Sequence, residues 1–382
     1  MPGILKGVNL SHMSTKSILF DGQAFSFQQY GGISRYCCRL IDRLYRDKEL
    51  DIKLSLVLSN NLHLEGMSLI RHHSFLPKTN IKGRGFVIRN INKFDFILKS
   101  VFQSFDIFHS TYYDPYFLAF INDRPSVLTV HDMIHELYPE CFPDNRTDKH
   151  KDECIKRAAK IIAISQNTKN DLIRLKNVDA SKISVIHLGP PFEGKEVVTK
   201  SIEPNAPAQY LLFVGTRNTY KNFGTLVRAA RQLTNKFKDL YIVCAGGGNF
   251  KQSELELMQD NGVRSRFIQI PFENDHVLIS LYINAAAFIF PSLYEGFGLP
   301  ILESFACSCP AVLSNSSCFQ EIAEDAALYF EPRNEQELVE SILRVLFDKQ
   351  TRSAIVERGK KRLGDFSWKK TAEKTKELYL SL

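Results

Sequence analysis

Short apolar runs of strand length recur along the whole chain, each followed by a stretch with helical spacing. In the first half they fall at 17–20, 52–58, 107–109, 126–131, 160–165 and 183–188, and in the second at 210–214, 240–245, 267–270, 288–290 and 311–313. Parallel strands need crossover connections, usually helices, and helices on both faces explain why the strands carry so little polar alternation. The expected class is therefore α/β, with doubly wound parallel sheets. A chain of 382 residues is too long for one comfortable core, so two such units are expected.

Gly189, Pro190, Pro191 and Gly194, followed by a polar stretch with Pro204 and Pro207, have the composition of a linker. The expected division is a first Rossmann-like domain at 17–190, a linker at 191–208, a second Rossmann-like domain at 209–366, and a C-terminal helix at 367–382. Residues 1–16 show no periodic pattern and carry Ser11-His12-Met13, which has the look of a cloning scar, so they are excluded from the fold. Open α/β sheets bind ligands beyond the carboxyl ends of their strands, and two facing units would enclose a cleft.

Composition narrows the class further. The apolar fraction of 44% is ordinary for a globular protein, and no run approaches the roughly 18 uncharged apolar residues of a membrane span. The N-terminus has no continuous apolar segment with a small-residue cleavage site, so a cytoplasmic protein is expected. Its eight cysteines have no zinc-type spacing, which points to reduced thiols. The net charge of +7 lies entirely in residues 1–190, which hold 26 Lys and Arg against 19 Asp and Glu. Within 71–99, Arg71, Lys78, Lys82, Arg84, Arg89, Lys93 and Lys99 alternate with Phe75, Phe86, Phe94 and Phe96, and Asp95 is the sole acid. Such a stretch suits an anionic membrane surface or a lipid-phosphate acceptor, and equally a solvated helix whose aromatics pack inward. No nucleic-acid module accompanies the charge, so no nucleic-acid partner is expected.

The chemistry concentrates in residues 288–303. A buried strand ending at Phe290 leads into Glu295-Gly296-Phe297-Gly298-Leu299-Pro300, then a helix through Ile301 and Leu302 to Glu303. Gly296 and Gly298 permit backbone angles and approaches that a Cβ forbids, and Pro300 suits a helix entrance. Amides at that entrance favour an anion or a hydroxyl-rich group. Two carboxylates with seven residues between them then span roughly 5–10 Å, enough to bracket a diphosphate between a sugar and a ribose. Two glutamates merely facing water would need neither the glycines nor the proline.

A second constellation follows the strand at 210–214, where Gly215 opens a turn carrying Arg217 and Lys221. A departing nucleotide diphosphate gains negative charge and needs fixed positive charge to receive it. Arg217 would grip phosphate oxygens in two-pronged fashion and Lys221 would add a point charge. No Asp-x-Asp motif stands at a strand end, so no metal is expected and catalysis should be metal-independent. Gly31-Gly32 at a helix entrance offers amides to a phosphate or an acceptor hydroxyl, or simply turns the chain. It is not a G-x-G-x-x-G and gives no support to a nicotinamide cofactor. His131 ends a buried strand, followed by Asp132, which would orient it or cap the next helix.

The Glu295 to Glu303 segment resembles the signature of the family 4 retaining glycosyltransferases, which have the two-domain GT-B architecture. The resemblance extends over most of 17–382. It implies that Glu295 lies beside the donor sugar, that Gly296, Phe297, Gly298 and Leu299 supply loop contacts to sugar and phosphate, and that Glu303 binds the ribose. It likewise assigns His131 to the donor sugar, Arg217 and Lys221 to the diphosphate, Gly31 and Gly32 to a glycine-rich donor loop, and Gly246 and Phe272 to the nucleotide and base. The C-terminal helix would cross back to the first domain. The function so implied is retaining, metal-independent transfer of a hexose, with mannose the first choice, from a GDP- or UDP-linked donor to a glycan or lipid-linked acceptor hydroxyl. No further cofactor is called for, and work at the cytoplasmic membrane surface is compatible with the basic segment. A nucleotide-sugar epimerase or hydrolase, or a non-catalytic nucleotide-sugar binder, remains open.

Overall fold

The architecture comes from a computed structural model describing residues 15–382 apart from 66, 68, 69, 78, 80, 144, 145, 194–196, 198–202 and 273. The excluded N-terminal stretch therefore lies, through residue 14, outside the described residues, as do Lys78 and 194–196 and 198–202 of the expected linker.

Twelve strands are described: β1 (Lys16–Phe20), β2 (Leu50–Leu54), β3 (Ile107–Ser110), β4 (Ser126–Val130), β5 (Lys160–Ala163), β6 (Ile183–Val185), β7 (Tyr210–Val214), β8 (Tyr241–Ala245), β9 (Phe267–Ile270), β10 (Ala287–Phe290), β11 (Ala311–Ser314) and β12 (Leu328–Phe330). They form two six-stranded parallel sheets, ordered β2-β1-β3-β4-β5-β6 and β12-β11-β10-β7-β8-β9. β12, a three-residue edge strand, has no counterpart in the sequence reading. Its Leu-Tyr-Phe is half-buried at two positions, too short to show a period.

In each sheet the chain adds strands to one side of its first strand and then reverses. The reversals fall between β1 and β3 and between β7 and β10. Loops after these strands diverge and leave room for side chains at their carboxyl ends. Burial is near total where the sheets are covered on both faces. Tyr210, Leu211, Leu212 and Phe213 of β7 and all of β10 are at most 1% exposed.

Two compact units are present. Unit 1 comprises 1–128, 153–160 and 374–382, and unit 2 comprises 129–152 and 161–373. Within unit 1 the final helix, Trp368–Leu380, contributes Lys376, which pairs with Asp47 at 2.8 Å, and Tyr379, whose hydroxyl lies 2.5 Å from His109 Nδ1. His109 is thus held inside the fold. Within unit 2 the same helix contributes Trp368, whose indole N–H donates to the Pro190 carbonyl at 2.9 Å, and a Cβ on Gly189 would collide with that indole.

Candidate active site

The loops after β7 and β10 are fastened to each other at the second reversal. Leu293 N–H donates to the Tyr220 carbonyl at 2.7 Å, and the Asn222 amide donates to the Pro291 carbonyl at 3.0 Å. This brings Lys221 Nζ to 2.6 Å from Glu295 Oε1, with the two side chains 13% and 11% exposed. Burial by itself would lower the Lys221 pKa. The Glu295 carboxylate outweighs that, helped by Tyr220 and Asp132, and the ammonium stays charged above its ordinary range. Its Nζ also lies 5.3 Å from the centre of the Phe290 ring. The Glu295 amide donates to Ser317 Oγ at 3.1 Å.

Gly296 is required by closeness of approach. Its Cα backs onto the His131 carbonyl so tightly that any Cβ would collide with that oxygen. Gly298 has φ +82°, the left-handed region, and precedes the helix Leu299–Ala306. Pro300 is its second residue rather than its first, still within the turn where a missing donor is harmless. Glu303 is 6% exposed and accepts from the Tyr282 hydroxyl at 2.9 Å. Phe297 is buried, its ring 5.9 Å from those of His187 and Phe366. Only its backbone suits the loop role expected of it.

His131 is buried in the same unit, and burial holds its pKa down to about 4, against the opposing pull of Asp132 and with the help of the Lys151 ammonium. The imidazole is neutral near pH 7. Asp132 caps the following turn, its Oδ1 accepting from the Ile134 N–H at 3.0 Å. Lys151, fully buried, donates to the Asp132 carbonyl and to Glu136 at 3.0 Å each, which fixes the segment carrying His131.

Arg217 is held by partners of its own unit. Its side chain is 1% exposed, with Nε 2.9 Å from Glu254 Oε2. Nη1 donates to the Gly246 carbonyl at 3.0 Å, and Nη2 to those of Gly248 and Asn249 at 2.8 and 3.0 Å. All three nitrogens have partners inside the protein, and the guanidinium braces the glycine turn after β8. Gly246, Gly247 and Gly248 all have positive φ there, and a Cβ on Gly246 would stand 3.1 Å from the Phe272 ring. Gly246 and Phe272 therefore meet, as the loops after neighbouring strands should. The sequence analysis does not single out Glu254, which also closes a capping box with Lys251 at the start of the helix Gln252–Asp260.

Gly31 and Gly32 belong to unit 1, where the helix Gly32–Tyr45 begins. Gln28 Oε1 accepts the Ser34 amide there at 3.0 Å. The first reversal, also in unit 1, holds a residue that sequence reading passed over. Asp21, directly after β1, is fully buried and accepts from Thr111 N at 3.0 Å and from the Gln23 amide at 2.6 Å. Burial raises its pKa to about 6, against those hydrogen bonds.

Comparison with known proteins decides the family. The description "Glycosyltransferase Family 4" matches residues 30–191 and "Glycosyl transferases group 1" matches 195–362. The chain belongs to the family 4 glycosyltransferases. Its relatives include O-antigen chain mannosyltransferase B of Escherichia coli, 28% identical over 70% of this chain and 73% of that one. O-antigen chain mannosyltransferase RfbU of Salmonella typhimurium is 28% identical over 56% of this chain and 58% of its own. Among solved structures, sucrose-phosphate synthase from Thermosynechococcus elongatus superposes with a TM-score of 0.73 at 18% identity, covering 96% of this chain and 99% of that one. Anabaena HepE in complex with UDP and glucose gives 0.70 at 18% identity, covering 96% and 100%. This glycosyltransferase thus has the GT-B fold, as its two parallel sheets imply.

Proposed function

We propose that this glycosyltransferase moves a hexose, with retention and without a metal ion, from a nucleotide diphosphate sugar to a hydroxyl of a glycan or lipid-linked acceptor. The Lys221–Glu295 pair carries the proposal. It sits at the reversal of the second sheet, where the loops after β7 and β10 meet, with Glu303 on the helix that follows. Lys221 receives charge as the diphosphate leaves, a fixed cation in a water-poor setting. Its persistent positive charge makes a divalent ion unnecessary for that step. Glu295 positions the donor sugar, neutral His131 donates or accepts a hydrogen bond from it, and Glu303 holds the ribose. Arg217 shapes the turn at Gly246 and Phe272 that borders the nucleotide.

Retention is read as same-face attack. The bond from the anomeric carbon to the phosphate oxygen breaks, the acceptor oxygen bonds to that carbon, and the departing phosphate takes the acceptor's proton. Neither glutamate is then a glycosidase-type nucleophile. Mannose is the first choice of sugar because both O-antigen relatives are named mannosyltransferases, with GDP its usual carrier. UDP is the second reading, favoured by its presence in HepE. With a lipid-linked acceptor, the enzyme works at the cytoplasmic membrane surface.

A thermal-shift screen of GDP, UDP, ADP and dTDP with their sugars should single out one nucleotide. Transfer should then require acceptor, persist in excess chelator and disappear in Glu295→Gln. Sugar release or isomerisation without acceptor would favour the epimerase or hydrolase reading, and donor binding with no turnover a binding protein. Magnesium-restored activity would refute metal independence.

A further inference from the structure

The helix Arg84–Phe102 in unit 1 is apolar on both sides. Its inner face buries Ile88, Asn92, Phe96 and Ser100, with the Phe96 ring 5.2 Å from Phe108 and 5.3 Å from Tyr116. A solvated helix should then turn polar residues outward. Instead Phe86 is 63% exposed, Phe94 62%, Val101 61% and Phe102 79%, with Ile91 and Leu98 at 39% and 41%. At 100° per residue these six share roughly 160° of outer arc, interrupted by Asn90. Isolated exposed apolar residues need no explanation, whereas a continuous stripe of this kind marks a surface that something covers.

The borders of the stripe say what covers it. Arg89 and Lys93 flank one edge and Arg84 the other, while Lys82 and Ile81, 54% exposed, precede the helix. From 81 to 102 there are five cations and one acid; Lys99 is paired with Asp95 at 2.8 Å and Lys93 with Asp114, from outside the helix, at 2.6 Å. A second copy of this chain bringing the same face would set these cations against each other. An anionic lipid surface supplies the opposite charge at the borders and an apolar interior for the rings, which sink about 5–10 Å below the headgroups.

We infer that the outer face of Arg84–Phe102 is an interfacial anchor that lays this enzyme on an anionic phospholipid bilayer, with Phe86, Phe94 and Phe102 inserted and Lys82 and Arg89 on headgroup phosphates. The helix lies along the membrane. It is about 28 Å long at 1.5 Å per residue, and successive rings are turned by roughly 80° around it, with Phe94 at the centre of the arc and Phe86 and Phe102 at its two margins. This goes beyond glycosyl transfer and stands apart from it.

The test is sedimentation of the full chain, without sugar nucleotide, on vesicles of phosphatidylcholine with and without phosphatidylglycerol. The chain should bind the mixed vesicles. The variant Phe86→Ser/Phe94→Ser/Phe102→Ser should lose binding at least roughly tenfold, with an unchanged melting temperature, because all three rings are exposed. Lys82→Glu/Arg89→Glu should lose the preference for anionic vesicles. A wild-type chain that stays in the supernatant with both vesicle types overturns the inference. So does a wild-type dimer that the triple serine variant converts to a monomer, since a second copy would then be the cover. Donor binding and transfer to a water-soluble acceptor are measured separately, so failure here leaves the catalytic reading intact.

Discussion

Both sheets reverse beside their first strand, and both place a buried carboxyl group at the reversal, yet the two are held by opposite means. At the β1/β3 reversal Asp21 is surrounded by neutral donors, the Thr111 amide and the Gln23 side chain, and burial pushes it toward its protonated form. At the β7/β10 reversal Glu295 faces an ammonium at 2.6 Å. The donors around Asp21 are taken up by its own carboxyl group and brace the loop. A fixed cation offers an arriving polyanion a great deal. The contrast explains why donor chemistry is assigned to unit 2 and why Asp21 is read as internal bracing.

The sharpest way to break that contrast is at Lys221. Lys221→Met should lower kcat about 10²- to 10³-fold, the size expected when a preorganised charge stabiliser is lost. It also leaves Glu295 buried without its partner, which costs about 3–5 kcal/mol of stability. The double variant Lys221→Met/Glu295→Gln removes the stranded charge. Its melting temperature should recover while kcat does not, and joint recovery of both would make the pair structural rather than catalytic.

Arg217 sharpens the distinction within a single turn. Lys221 and Arg217 stand four residues apart, but only Lys221 meets the loop after β10, whereas Arg217 reaches Glu254 and the four consecutive carbonyl groups of 246–249 in the next loop. Arg217→Met should lower the melting temperature, by up to about 3–5 kcal/mol equivalent, and raise donor KM through a loosened Gly246–Phe272 border, with kcat changed less than threefold. Arg217→Lys should not rescue it, because one ammonium cannot reproduce a planar fork. A kcat loss matching that of Lys221→Met would return Arg217 to the diphosphate.

How far the sequence alone reached follows the range of the interactions involved. The strand-helix alternation and the Glu295 to Glu303 loop are local patterns, set by residues within a dozen positions, and they were legible. Strand ends are less so: 52–58 reads as one run, yet β2 stops at Leu54, and beyond it the Val57 and Leu58 amides donate to Asn92 Oδ1 on the helix Arg84–Phe102. The pairing of Arg217 with Glu254 is not legible in the sequence because the two lie 37 residues apart on different elements. Asp21 is not singled out by the sequence because burial raises its pKa and its hydrogen-bond partner Thr111 lies 90 residues away. The outward turn of Phe86 and Phe94, against the inward turn of Phe96, depends on which arc of the helix meets β3, and composition does not carry that information.

The smallest expected effect separates the two units by pH. Asp21 in unit 1 has a folded pKa of about 6, above its ordinary 3.8, so between these values the native state binds more protons than the unfolded chain. Unit 1 should therefore lose stability as pH rises from about 4 to 6. His131 in unit 2 has a folded pKa of about 4, below its ordinary 6.5, so there the unfolded chain binds more protons and unit 2 should gain stability over the same interval. Each slope approaches about 1.4 kcal/mol per pH unit at most. Hydrogen exchange, corrected for intrinsic rates, should show protection falling in β1 and β3 and rising in β7 and β10 from pH 4 to 6. Asp21→Asn should flatten the first trend alone and His131→Asn the second alone. Parallel trends in both units, surviving both substitutions, would mean that neither buried group sets the acid response, and the contrast between the two reversals would then rest on geometry without an energetic counterpart.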